Sequence, residues 1–183
     1  NSIRALIVPH AGYAYSGIIA ASAFNTLSHT ESYDRIIVLA PSHTIPFQGI
    51  ALPSNTTGYA IATGEIPFDT KIIKNLIKQR CFIDSQKILT DPFTDEHSFE
   101  IECPFIHHYL PGIPVIPLLV GYLTDKEIKQ CAATIKKYIT PKTLIIVSSD
   151  FLHYGPQFDY MPFGNTQDAS LSIQSLDFNS IEH

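Results

Sequence analysis

The chain has 183 residues, of which 45% are hydrophobic and 16% charged, a composition typical of a globular domain that can bury a sizeable core. Its formal net charge of −5 provides no electrostatic footprint for nucleic acid or for an anionic membrane, so we expect neither as a partner. Its three cysteines are few, odd in number and far apart, which excludes a disulfide framework and favours a reducing, cytoplasmic compartment.

The first predicted element is a buried strand that leads to a histidine. Residues Ala5–Val8 form a continuous apolar run, typical of a parallel strand with both faces covered. Pro9 ends this strand because proline has no N–H for the sheet ladder. His10 therefore stands at the carboxyl end of a strand, where open α/β sheets bind ligands. After this strand, a helix is predicted over residues 16–27.

Two later apolar strands repeat this arrangement. Residues 35–40 lead to His43, and residues 143–148 lead to His153. If the three strands are parallel neighbours, their carboxyl ends meet at one edge of the sheet. We therefore predict that His10, His43 and His153 face one pocket, although each could instead be an ordinary loop histidine with a local hydrogen bond.

The remaining predicted elements complete an alternation of strands and helices, which indicates an α/β fold with a mostly parallel sheet covered by helices on both faces. We expect a single domain over residues 1–183. Short strands are predicted at 49–53 and 59–63, on the sheet edge or in a small antiparallel hairpin, followed by a helix at 70–79 capped by Asp69. A second helix starts near Thr94 or Asp95, and Pro104 bends or breaks it. A strand at 114–120, a helix at 124–138 behind a capping box and a last helix at 167–176 complete the chain.

His10 and His43 are candidate metal ligands. Neutral imidazole is the commonest protein ligand for metals, and each of these histidines follows a rigid strand. With one carboxylate or thiolate they would complete a three-ligand site that leaves coordination positions open. Such a site suits non-haem iron, zinc or copper.

Asp150 and His153 lie three residues apart in one tight loop. A carboxylate can hold an imidazole in one tautomer and raise its basicity, which makes His153 a candidate acid/base group. An equally good interpretation is that Asp150 caps the loop and His153 is a surface residue.

His97 and Glu100 form a further polar cluster together with Glu96. On a helix His97 and Glu100 would share a face, as a ligand pair or as support for the ligands. They could equally belong to a solvated helix start with favourable acidic residues. Tyr13, beside His10, could line the pocket or serve as aromatic packing. A serine hydrolase is disfavoured because the chain has no G-x-S-x-G elbow.

Four motifs occur in order along the chain: P-H-A-G-Y-A-Y-S-G at 9–17, A-P-S-H at 40–43, D-E-H-S-F-E at 95–100 and S-S-D-F-L-H-Y-G at 148–155. Together they resemble the motifs of the MEMO family, whose bacterial and archaeal members are called AmmeMemoRadiSam system protein B.

The resemblance implies a three-layer α/β fold similar to that of the class III extradiol dioxygenases of the LigB type. It implies an iron or copper site, which in the family uses two histidines and a cysteine, and the two histidines match His10 and His43. It further implies that Asp150 and His153 match the family's aspartate and its acid/base histidine. Eukaryotic members are linked to phosphotyrosine-peptide binding and to copper redox chemistry.

One departure from the family concerns the cysteine ligand. In the family this cysteine follows the S-S-D-F-x-H motif, whereas no cysteine follows Cys131 here. We therefore expect that the chain lacks the family's C-terminal segment, that it binds divalent metal weakly or not at all, and that Glu100 or Asp150 could substitute for the missing ligand.

Two functions remain as expectations from the sequence. The first is a metal-dependent redox enzyme, dioxygenase-like, which uses iron or copper in preference to zinc on a small molecule. The alternative is a non-catalytic binding module that recognises a peptide or a small anion in the same pocket.

Overall fold

The computed structural model of the chain describes residues 3–27, 32–88, 91–94, 96–165 and 168–182. The chain divides into two compact units, Asn1–Ser149 and Asp150–His183. The single domain expected over residues 1–183 stays a prediction, because compact packing units need not coincide with the domain of a family.

Eight strands are described in the first unit, and six of them form its main sheet. In chain order they are β1 (Ala5–Val8), β2 (Arg35–Pro41), β3 (Ile50–Leu52), β4 (Gly58–Ile61), β5 (Gly64–Pro67), β6 (Phe82–Asp84), β7 (Val115–Val120) and β8 (Thr143–Ser148). The sheet has the order β1-β8-β2-β7-β3-β6, whereas β4 and β5 pair separately as an antiparallel hairpin. Of the two predicted short strands, β4 lies in an antiparallel hairpin as expected, although its partner is β5. The expectation of an edge position was wrong for β3, which lies between β7 and β6.

The sheet is mostly parallel, as predicted. Strands β1, β8, β2 and β7 run parallel to one another, while β3 is antiparallel to β7 and parallel to β6. Successive residues of β2 and β7 are buried, which requires cover on both faces of the sheet centre. This architecture is α/β and consistent with the three-layer fold that the resemblance implies.

Strand β1 corrects one sequence-based expectation. It has the predicted bounds, but Ala5 and Ile7 are exposed, and Ile7 retains 55% of its accessible surface. Among the described residues β1 pairs only with β8, so it lies at the sheet edge with one face open. The prediction that both faces of β1 are covered was wrong, because an apolar run does not reveal whether another layer covers each face of a strand.

Five α-helices are described in the first unit. They are α1 (Tyr13–Phe24), α2 (Thr70–Leu76), α3 (His97–Glu100), α4 (Cys103–Tyr109) and α5 (Asp125–Ile135). Two predicted caps are confirmed: Asp69 accepts from the Ile72 N–H, and Thr124 forms a capping box with Glu127. No helix among the residues described is long and apolar enough to cross a membrane.

The predicted helix near residue 94 is in fact two short helices. Glu96 caps α3, whereas Thr94 does not, and Asp95 lies outside the described residues. Pro104 lies in the first turn of α4, where the missing N–H costs nothing. It therefore separates α3 from α4 and does not bend a continuous helix.

The described part of the second unit has a loop with a short 3-10 helix (Pro156–Phe158) and one α-helix, α6 (Ala169–Glu182). The Tyr154 hydroxyl donates to the Gly164 carbonyl at 2.6 Å, and the Leu152 N–H donates to the Asp177 carboxylate at 3.3 Å. The helix extends six residues beyond the predicted end at residue 176, and the predicted start at Gln167 lies outside the described residues.

Candidate metal centre

Three histidines meet at the carboxyl ends of β1 and β2. The ring centroids of His10 and His43 are 5.1 Å apart, and the ring of His97 lies 4.7 Å from His43 and 5.6 Å from His10. One potential ligand nitrogen from each residue lies within 4.8 Å of the others. The strands that carry His10 and His43 are parallel and separated only by β8, which explains why these residues, far apart in sequence, converge.

The histidine cluster has one buried member and two that are exposed to solvent. His10 is only 3% exposed, while the side chains of His43 and His97 are 42% and 49% exposed. One potential ligand is therefore buried, and the other two are accessible from solvent without local unfolding.

Glu96 supports the solvent-facing side of the cluster. Its side chain is fully buried, and one carboxylate oxygen, Oε2, accepts from the backbone N–H groups of His43 at 2.6 Å and Thr44 at 3.4 Å. The other, Oε1, accepts from the Ser98 N–H at 3.2 Å and lies 2.9 Å from Nδ1 of His43. The same oxygen is 3.6 Å from Nδ1 of His97.

These contacts keep Glu96 ionised. Burial raises its pKa, but the hydrogen bonds from His43 and Ser98 outweigh burial and hold the pKa below its usual value. Because a carboxylate can only accept, Nδ1 of His43 must carry the proton. In the neutral ring this leaves the lone pair on Nε2, the nitrogen that is then available to a metal.

His10 is oriented in the same sense by a different partner. Its Nδ1 lies 2.8 Å from the Ser148 hydroxyl oxygen. That hydroxyl donates its one proton to the Ser98 carbonyl at 2.6 Å or to Glu102 at 3.2 Å. In either case the Ser148 oxygen is left to accept, so Nδ1 of His10 donates and its Nε2 holds the lone pair.

Glu100 and Tyr13 are the remaining candidates from the sequence in the first unit. Glu100 is exposed and is not part of the group of potential ligands, and Tyr13 donates its hydroxyl to the Ile101 carbonyl at 3.2 Å with its ring against Phe105. Burial and, secondarily, nearby acidic groups raise the pKa of Tyr13. The contacts of Tyr13 agree with its interpretation as aromatic packing.

The described cysteines do not add a thiolate to the cluster. Cys103 and Cys131 are buried, and burial is the main cause that raises the pKa of Cys103 well above its usual range and that of Cys131 to about 11. A buried neutral thiol is a poor metal ligand, because the ligand form is the thiolate.

Asp150 and His153 form a pair within the second unit. Oδ2 of Asp150 lies 3.6 Å from Nε2 of His153, and Nδ1 of His153 lies 3.1 Å from the Phe151 carbonyl. The carbonyl only accepts, so Nδ1 carries a proton. Their predicted meeting with His10 and His43 stays a prediction.

No pattern in the sequence assigns a site role to Ser148 or Glu102. The available signal was that Ser148, a polar residue, ends the otherwise apolar strand β8, which lies next to β1, the strand before His10. Glu96 was noted with His97 and Glu100, but the pattern did not show which of the two acidic residues turns inward.

Comparisons with known proteins identify the family of this chain. The family model described as Memo-like protein matches residues 1–183. Protein MEMO1 from Mus musculus and from Homo sapiens are each 34% identical over 180 residues, which is 95% of this chain and 59% of theirs. Protein memo-1 homolog from Caenorhabditis elegans is 32% identical over 166 residues, 89% of this chain and 46% of its own length. The chain thus spans about three fifths or less of these relatives, and it belongs to the Memo-like family.

Proposed function

We propose that this chain binds a divalent redox metal, iron or copper, through His10, His43 and His97, and that it is a metal-dependent, dioxygenase-like oxidoreductase. The observation that carries the proposal is the convergence of three potential ligand nitrogens within 4.8 Å of one another. Imidazole is a suitable ligand for iron and copper, and three protein ligands leave positions open for other molecules.

The surroundings of the cluster fit such a metal. The hydrogen bonds at Nδ1 of His10 and His43 leave Nε2 as the available donor in both rings. The arrangement in which a carboxylate or hydroxyl holds the second ring nitrogen is usual around metal-binding histidines. Glu96 also brings one negative charge close to three otherwise neutral ligands, which reduces the electrostatic cost of a divalent cation.

The residues have separable tasks in the proposed activity. His10, buried against Ser148, would be the fixed ligand, while His43 and His97 face the side from which a substrate enters. When bound, the metal would supply redox chemistry towards oxygen and a small-molecule substrate. His153, with Asp150, remains the candidate for proton transfer that the sequence suggests.

The test is a metal titration of protein purified without oxygen, followed by oxygen uptake in the presence of ascorbate. We expect one equivalent of iron(II) or copper to bind, and His43→Ala to weaken binding by more than about tenfold. His108→Ala removes an exposed histidine on α4 and should change neither measurement.

Equal binding by wild type and His43→Ala would contradict the metal site. Stoichiometric binding without oxygen uptake would contradict the oxidoreductase, and the absence of both would favour a module that binds a peptide or small anion.

A further inference from the structure

A single carboxylate, Glu96, contacts two of the three clustered imidazoles. Its Oε1 lies 2.9 Å from Nδ1 of His43 and 3.6 Å from Nδ1 of His97. The carboxylate is fully buried and precedes α3, so it is held by the fold and cannot rotate freely into solvent.

The two oxygens of Glu96 have different partners. Oε2 accepts from the backbone N–H groups of His43 and Thr44, and Oε1 accepts from the Ser98 N–H and from the His43 ring. The backbone donors cannot give up their protons. They therefore fix the orientation of the carboxylate, and the imidazole is the partner whose proton position must adapt.

We propose that Glu96 is a positioning residue that commits His43 to the Nδ1–H tautomer and so makes Nε2 its metal-binding atom. This inference rests on the proposed metal site. It goes beyond that site because it assigns the selection of the ligand atom, and thereby part of the metal affinity, to a residue that is not itself a ligand.

The substitution Glu96→Gln separates this role from simple packing. Glutamine has nearly the same shape but only one acceptor oxygen, and its amide nitrogen donates. Two backbone N–H groups, of His43 and Thr44, face the Oε2 position, whereas only the Ser98 N–H faces the Oε1 position. We therefore expect the amide oxygen to occupy the Oε2 position, which sets the amide nitrogen against Nδ1 of His43. That ring nitrogen must then accept, and its proton moves to Nε2, where it competes with a metal.

The experiment is long-range ¹H–¹⁵N correlation NMR of the imidazoles in metal-free protein at about pH 8, where an ordinary histidine is neutral. His43→Ala assigns the His43 signals. We expect His43 to be the Nδ1–H tautomer in wild type and the Nε2–H tautomer in Glu96→Gln. Titration with iron(II) or copper should show affinity reduced by about 10–100-fold in Glu96→Gln. Glu65→Gln, which neutralises an exposed carboxylate on β5, should match wild type in both measurements.

The outcomes distinguish this inference from the proposed function. If His43→Ala loses metal while Glu96→Gln keeps the Nδ1–H tautomer, the inference is wrong and the metal site stands, whatever the affinity of Glu96→Gln. If His43→Ala binds metal as wild type does, the proposed function fails first. Should Glu96→Gln not fold, the wild-type spectrum still decides, because an Nε2–H tautomer of His43 there would overturn the inference.

Discussion

The Nδ1 atom of His10 lies 2.8 Å from the hydroxyl oxygen of Ser148, across two strands that are paired in register. Val8, two residues before His10, is opposite Ser148 in the parallel pairing of β1 and β8. Ser148, the last residue of β8, thus orients His10, which follows the neighbouring strand β1. Because Ser148 is 1% exposed, water is poorly placed to replace its hydroxyl group.

We expect Ser148→Ala to lower the free energy of unfolding by about 1–3 kcal/mol, since it leaves buried hydrogen-bonding groups of His10 and Ser98 without this partner. It should also weaken metal binding, because the His10 ring is no longer held in one tautomer. Urea unfolding and metal titration measure the two effects. Ser22→Ala removes an exposed hydroxyl that donates to the Ile18 carbonyl, and its effect should stay within about 0.5 kcal/mol. Equal stability of both variants would contradict the buried role of Ser148.

Glu96 makes the stability of the metal-free protein depend on pH in the acid range. Its pKa is below the usual value in the folded state, because hydrogen bonds from His43 and Ser98 outweigh burial. A lowered folded-state pKa means that the contribution is fully present above the unfolded pKa of about 4.3 and is lost as the pH falls through the folded value. We therefore expect the unfolding free energy to decrease below about pH 5.

The comparison is urea unfolding of wild type and Glu96→Gln between about pH 3 and pH 7. The variant should be less stable near neutral pH and should show a shallower decrease towards acid, because the group that titrates is gone. Parallel curves for the two proteins would mean that other carboxylates cause the acid destabilisation.

The sheet centre and two of the three clustered histidines were predictable from local sequence. The runs at β1, β2 and β8 are apolar, short and each followed by polar residues, and a parallel sheet brings such strand ends together. His10 and His43 follow directly from that rule. The caps at Asp69 and Thr124 were likewise readable, because a cap depends only on residues within one helical turn.

The third histidine and its supporting groups depend on tertiary packing. His97 follows His43 by more than fifty residues, and the pattern around it places Glu96 and Glu100 equally well near a helix start. Only the packing of α3 shows that Glu96 is buried and Glu100 exposed. The role of Ser148 likewise required the pairing of β1 with β8, which no local pattern reports.

The capping box at the start of α5 offers a prediction that is independent of the site. Thr124 accepts from the Glu127 N–H, and the Glu127 carboxylate accepts from the Thr124 N–H at 3.0 Å. Thr124→Ala should lower the free energy of unfolding by about 1 kcal/mol, because the Glu127 N–H at the helix start loses its acceptor. Metal affinity should be unchanged. Thr124→Ser keeps the hydroxyl and should recover most of the stability, and if it does not, the hydroxyl is not the stabilising group.

The local geometry of His153 revises what Asp150 is expected to do. From the sequence, Asp150 was expected to set the tautomer of His153. Nδ1 of His153 instead donates to the Phe151 carbonyl at 3.1 Å, and Asp150 lies 3.6 Å from the opposite nitrogen. The backbone carbonyl therefore sets the tautomer, and Asp150 contributes a negative charge beside Nε2.

Asp150→Asn should accordingly leave the neutral His153 ring in the Nδ1–H tautomer and the far-UV circular dichroism unchanged. If His153 transfers a proton, His153→Gln should reduce the rate by about 10²–10⁴-fold, and Asp150→Asn by a smaller factor, because the ring remains but loses the charge beside it. Imidazole NMR and the oxygen electrode measure the two effects.

A switch of His153 to the Nε2–H tautomer in Asp150→Asn would restore the aspartate as the orienting group. Unchanged oxygen uptake in both variants would show that the pair takes no part in the reaction.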